Sequence, residues 1–166
     1  IYNGYRYYDT FDVKPAYEFG YGLSYTIFSF DHMKLSSSTF NGPMKVTVDV
    51  TNNGNVPGKE VAQLYLSAPA KSMDKPTQEL RGFAKTRLLK PGETQTVTFT
   101  VRDSDLASYD TKSSSWKADA GTYTVKVGAS SRDIRQTGTF ELKSSEVVER
   151  DHDVLKPESN IMEMKP

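Results

Sequence analysis

Val46-Thr47-Val48-Asp49-Val50-Thr51, followed by Asn52-Asn53-Gly54-Asn55, is the stretch whose reading decides the fold. Val46, Val48 and Val50 occupy one phase of a two-residue period, and Thr47, Asp49 and Thr51 the other. Successive strand residues point to opposite faces, so the run predicts a half-buried strand with one apolar side. Asn and Gly accept positive φ cheaply, so residues 52–55 predict the turn that ends it.

The same period recurs on both sides of this stretch. Upstream, Phe28 and Phe30 alternate with Ser29 and Asp31, Met33 and Leu35 follow, and Asn41-Gly42-Pro43 makes a turn. Downstream, Ala62, Leu64 and Leu66 alternate with Gln63 and Tyr65, and residues 80–89 hold a further strand or two. Pro91-Gly92 is a turn in which Pro presets φ. Val97, Phe99 and Val101 then alternate with threonines, Trp116 sits near another strand, and Tyr123, Val125 and Val127 alternate with Thr124 and Lys126. Residues 134–142 close the set. Residues 103–109 predict one helical turn, capped by Asp103 or Ser104. Short alternating strands with turns about every ten residues predict an all-β fold: an antiparallel, immunoglobulin-like sandwich of about seven strands. Val48, Leu64, Phe99 and Val125 should face inward. Asp119-Ala120-Gly121-Thr122-Tyr123 predicts a tyrosine corner, in which the Tyr hydroxyl bonds back to upstream backbone.

The flanks differ from this pattern. Between Tyr2 and Phe30 lie 11 of the chain's 19 aromatic residues. Gly4, Pro15, Gly20 and Gly22 break any helical period, so residues 1–25 read as an extended or looped aromatic segment. Aromatic rings bury large areas, and so dense a run needs a large surface to lie against. More rings are present than a small sandwich can cover, so this leader is expected to pack on something outside the chain. An isolated chain should then self-associate through residues 1–25 as a homo-oligomer. Residues 26–143 form the sandwich. Residues 144–166 are acidic and aperiodic, with Val147, Val148, Val154, Leu155, Ile161 and Met162 as sparse anchors, and predict a polar tail, loosely ordered or extended against a neighbour.

Several function classes are excluded. Twenty-one basic residues balance 21 acidic ones, which leaves no overall field for nucleic acid. No run approaches the about 18 apolar residues of a membrane helix. The chain has no cysteine, hence no disulfide framework and no thiolate chemistry. Gly20-x-Gly22 lacks the third glycine and following helix of a dinucleotide loop. Ser24 lacks the final glycine of a nucleophile elbow. His32 reads as a strand histidine. Asp151-His152-Asp153 lacks further ligands and reads as solvated tail rather than a metal site. Asp103, Asp105 and Asp110 lack calcium-loop spacing. No metal or cofactor is expected. The chain opens on Ile1 without a signal-like segment and reads as a piece of something longer.

Two stretches carry a resemblance. Gly4-Tyr5-Arg6-Tyr7-Tyr8-Asp9 and Glu18-Phe19-Gly20-Tyr21-Gly22-Leu23-Ser24-Tyr25-Thr26 resemble the end of the second catalytic domain of family 3 glycoside hydrolases, the β-glucosidase family. Glu18 stands where the family usually has Pro. The resemblance continues through residues 59–66, Glu79-Leu80-Arg81-Gly82-Phe83, Leu89-Lys90-Pro91-Gly92-Glu93 and Ala120-Gly121-Thr122-Tyr123, covering residues 1–142. It implies a fibronectin type III-like sandwich behind the catalytic domains, and a periplasmic or secreted setting. It implies a parent that hydrolyses terminal β-linked glucose, or a related sugar, with retention. Such chemistry uses two carboxyl groups about 5–5.5 Å apart. In the family these belong to regions upstream of the stretches matched, so no catalytic residue is assigned and the chain alone is expected to be inactive. Its role would be architectural: clamping the upstream catalytic domains and shaping the rim of the carbohydrate cleft. Tyr5, Arg6, Tyr7, Tyr8, Phe19, Tyr21 and Tyr25 are the candidate interdomain or cleft-rim contacts, since guanidinium groups and aromatic faces suit both tasks. The loop 67–78 is a further candidate. The rival reading is a free-standing immunoglobulin-like binding or adhesion module.

Overall fold

The computed structural model describes residues 1–152, 159, 162, 164 and 165. A short helix, α1 (Tyr5–Thr10), precedes β1 (Phe28–Leu35), β2 (Met44–Asn52), β3 (Val61–Ser67), β4 (Glu79–Lys85) and β5 (Thr94–Val101). After α2 (Asp103–Leu106) come β6 (Ser108–Asp110), β7 (Ser115–Ala118), β8 (Gly121–Gly128), β9 (Ile134–Leu142) and β10 (Glu146–Arg150).

Alternation dictates the layers. β1-β2-β5 forms one antiparallel sheet, and β4-β3-β8-β9 the other. Met44 lies opposite Val101, Val46 opposite Phe99 and Val48 opposite Val97, so one face of this β2-β5 pair is apolar along those three pairs. Val48, Leu64, Phe99 and Val125 are all buried in the core between the sheets, as their phase predicts. The tyrosine corner is present: the Tyr123 hydroxyl donates to the Asp119 carbonyl at 2.9 Å, and its ring stacks on Phe140 at 5.3 Å. The sheets are tied at one edge, where Gln136 Nε2 donates to the Phe30 carbonyl at 2.8 Å and Arg135 to the Phe28 carbonyl.

Ten strands form among the described residues, against the about seven of a simple sandwich. Seven build the two facing sheets; the other three make a small third sheet in the order β10-β7-β6. β10 carries residues read as tail: Glu146 to Arg150 lie in extended form against Ala118 to Ser115 of the same chain. Of the tail anchors, Val154, Leu155 and Ile161 lie outside the described residues, as does Asp153 of the Asp-His-Asp run.

Two local expectations need correction. Residues 5–10 are helical rather than extended. Gly4, at φ 54°, turns the chain, and its carbonyl accepts the N–H groups of Tyr7 and Tyr8 at 3.1 and 3.3 Å. Six residues are too few for a helix to persist alone. Ring contacts hold this one, including Tyr7 against Phe11 one turn on at 5.1 Å. α2 forms where a helical turn is expected, but its cap is Arg102, whose N–H donates to Asp105 Oδ2 at 2.8 Å. The acidic residue at the third helical position reaches back, which frees Asp103 and Ser104 from the capping role.

Candidate functional site: the docked leader

β3 is buried on both faces, which its alternation does not foretell. Ala62, Leu64 and Leu66 face the core, while Gln63 and Tyr65 take the other phase and are still 5% and 0% exposed. The cover comes from the leader. Tyr5 stacks on Phe19 with ring centroids 4.5 Å apart and meets Tyr65 edge-on at 6.0 Å. The Tyr5 hydroxyl accepts the Leu80 N–H at 2.8 Å. Beneath, the Tyr65 hydroxyl donates to Gln63 Oε1 at 2.5 Å, and Gln63 Nε2 donates to the carbonyls of Ala129 and Gly20 at 2.6 and 3.2 Å. Burial, reinforced by Tyr5, Asp9 and Glu18 nearby, pushes the Tyr65 hydroxyl far above its usual value, so it stays a neutral donor. Gly20 has φ 82°, and a Cβ there would run into the Gln63 amide, so glycine is required twice over.

Polar side chains fasten the rim of this patch. Arg132 Nε meets Asp9 Oδ1 at 2.9 Å, and its Nη2 donates to the carbonyls of Tyr8 and Val13 at 2.8 and 2.9 Å. Gln78 Nε2 donates to Asp9 Oδ2 at 3.2 Å, and Thr77 N–H to Thr10 Oγ1 at 3.0 Å. Arg6 Nη2 lies 3.1 Å from Glu79 Oε1, while Arg81 Nη2 holds the other oxygen at 2.8 Å. Ser131 N–H donates to the Phe19 carbonyl at 2.9 Å, and the Ser130 hydroxyl to Glu18. Burial pushes the Lys126 ammonium down, against the pull of Asp9, and it donates to Gln78 Oε1 at 3.2 Å.

The candidate residues therefore divide. Tyr5, Arg6 and Tyr7 are half-buried, and Phe19 and Tyr8 keep 44% and 37% of their surface. Past Phe19 the rings turn outward. Tyr21 is 51% exposed, and its ring lies 5.9 Å from that of Tyr17, itself 79% exposed. Leu23, Tyr25 and Ile27 are exposed as well. Only at Thr26 does the chain grip the sandwich again, through a 2.6 Å donation to Asn52 Oδ1. Sequence reading missed Gln63, Gln78, Arg132 and the Ser130-Ser131 pair, which receive the leader. The pairing of Gln63 with Tyr65 on a strand's outer phase was the available signal. Asn52, read as a turn residue, is fully buried; its amide also donates to the Val56 and Leu89 carbonyls at 2.9 and 2.8 Å.

The loop 67–78 is pinned to the sandwich. Buried Lys75 lies 3.1 Å from Asp119, and the Ser72 hydroxyl donates to the same carboxylate at 2.7 Å. Burial raises the Asp119 pKa, but Ser72 and Lys75 outweigh it and hold the carboxyl below its usual value. Asp9, Glu79 and Asp119 are all engaged in such structural pairs. Among the described residues, no group of three or more His, Cys, Asp or Glu is placed to hold a metal ion. No helix described is long and apolar enough to cross a membrane.

Residues 60–131 match the model of the fibronectin type III-like domain. β-Glucosidase A of Butyrivibrio fibrisolvens is 42% identical over 180 residues, covering 96% of this chain and 22% of that protein. The structure of β-glucosidase 3B from Thermotoga neapolitana in complex with α-D-glucose superposes with a TM-score of 0.83. It is 49% identical, over 88% of this chain and 20% of the other. The chain matches the C-terminal part of the family 3 β-glucosidases. A further member, the Bifidobacterium adolescentis enzyme, superposes with a TM-score of 0.81 at 36% identity, over 93% of this chain and 22% of that one. This chain supplies the family's fibronectin type III-like part and spans about a fifth of the length of the relatives it matches. These matches do not favour the free-standing adhesion module.

Proposed function

We propose that this chain acts as the architectural accessory part of a β-glucosidase, whose catalytic domains hydrolyse terminal β-linked glucose or a related sugar with retention. The observation that carries this reading is the divided leader. Residues 5–13 and 18–20 are fastened to the sandwich by charged and backbone hydrogen bonds, whereas Tyr17, Tyr21, Leu23, Tyr25 and Ile27 present a row of uncovered apolar groups. Contiguous exposed apolar surface marks contact sites. The docked half fixes where that row points, and the row seats the catalytic domains of the same polypeptide. On this reading residues 1–25 join the catalytic domain to a sandwich of residues 26–143. The tail from residue 144 returns along the third sheet.

A graft tests it. This chain replaces the matching region of the Thermotoga neapolitana enzyme, and hydrolysis of an aryl β-glucoside is measured. The chimera should keep activity, and Leu23→Asp with Tyr25→Asp should reduce its activity or its melting temperature. The chain alone should turn over no aryl β-glucoside. A chimera indifferent to both charges would refute the seating role. The same row supports a second reading, self-association of the isolated chain through residues 1–25. Sedimentation of the chain should show a dimer or larger species, and Tyr21→Ser, Leu23→Ser and Tyr25→Ser together should give a monomer.

A further inference from the structure

Away from the exposed row, a cavity of about 550 Å³ opens where α1, the loop 67–78 and the third sheet meet. Its size falls within the about 300–1,000 Å³ of small-molecule sites. Tyr109 and Trp116 line it as an edge-to-face pair, ring centroids 5.5 Å apart. Their strands pair directly, Tyr109 opposite Trp116, so the rings are held as a unit. Trp116 keeps 38% of its surface exposed.

The polar lining is built and rigid. Arg6 and Arg81 grip the two oxygens of Glu79, which fixes two planar donor groups against a carboxylate. Arg81 also donates from Nη2 to the Ala107 carbonyl, and its buried Nε has no hydrogen-bond partner among the described residues. Lys75, whose side chain is 2% exposed, lines the same space, and among the described residues its ammonium is held by the ion pair to Asp119.

Flat rings beside fixed guanidinium and carboxylate groups suit a ligand with an apolar face and a rim of hydroxyls. We infer that this cavity is a binding site for a short, neutral β-linked gluco-oligosaccharide. A pyranose ring lays its C–H face on Trp116 or Tyr109, and its hydroxyls accept from the guanidinium groups of Arg6 and Arg81 and donate to Glu79. The choice of β-glucan rests on the proposed function; the site itself rests on the cavity.

Trp116 is the chain's one tryptophan, so its emission reports on this site. The chain is titrated with cellotetraose and with laminaritetraose, by fluorescence and by calorimetry. At least one should bind saturably, with a Kd of about 1 mM or tighter. Amide and indole NMR shifts in the unaltered chain should be largest at residues 109–116. Tyr109→Ala should weaken binding at least tenfold, while Phe83→Ala, at an exposed ring elsewhere, should leave it unchanged. No saturable binding by either sugar, or shifts that map outside the cavity, overturns the proposal and leaves this surface to protein contact. Because binding is read without hydrolysis, failure here and failure of the graft are distinguishable.

Discussion

Two tyrosines on adjacent strands show how differently the molecule's two interfaces are made. Tyr123 of β8 lies between the sheets, among the valines and phenylalanines of the core, and bonds to backbone four residues away. Tyr65 of β3 is equally buried but lies on the sheet's outer face, under Tyr5. The inner interface is apolar and periodic. The outer one is fastened by charges and amides from distant positions: Arg132 to Asp9 spans 123 residues, and Ser130 to Glu18 spans 112. An apolar core resists change because cavities are costly at every point. A polar clamp yields one bond at a time, and each bond is worth about 1 kcal/mol net. The leader should therefore loosen well before the sandwich melts.

The contrast can be broken at its strong end first. Phe99→Ala, between the sheets, should lower unfolding free energy by about 3–5 kcal/mol; denaturant unfolding measures this. A loss within about 0.5 kcal/mol, the range of ordinary surface positions, would refute the interior phase. Next is the buried pair below the tyrosine corner. Asp119→Asn leaves Lys75 without its counter-charge and should cost about 3 kcal/mol near neutral pH. The folded carboxyl titrates below its ordinary value. Its stabilisation is thus present above about pH 4, the unfolded value, and is lost as pH falls through the lower folded one. The gap in melting temperature between parent and variant should narrow below that pH.

The clamp should respond more weakly and locally. Arg132→Ala removes three bonds to the leader, from a side chain that is 27% exposed. It should cost about 1–2 kcal/mol. Hydrogen exchange should accelerate at residues 5–13 and stay unchanged in β2 and β8. Uniform acceleration would show that leader and sandwich form one cooperative unit. Smallest of all, Leu23→Ser in the isolated chain should shift monomer stability by less than about 0.5 kcal/mol, because that side chain is 88% exposed.

Period-two alternation made the inner face legible. Val46, Val48 and Val50 state the side they face without reference to any partner, because pleating alone sends alternate residues to opposite faces. The corner was legible for a related reason, since Tyr123 bonds within its own short segment. Gly4-Tyr5-Arg6-Tyr7-Tyr8-Asp9 and the run from Glu18 to Thr26 also carried the family in residue order alone.

The helix at Tyr5–Thr10 was not legible, since its own propensity is poor and its stability comes from Phe19, Tyr65 and Arg132. Nor was the second burial of β3, because Gln63 and Tyr65 look like an ordinary outer face until the leader lies on them. The sequence by itself determined which residues form strands, which faces are apolar, and that the leader's rings exceed what a small sandwich would cover. Tertiary structure alone decided which of those rings dock and which stay outward. That choice depends on where Arg132, Gln78 and Ser131 stand relative to Asp9 and Phe19, and contacts across 69 to 123 residues leave no local period to read.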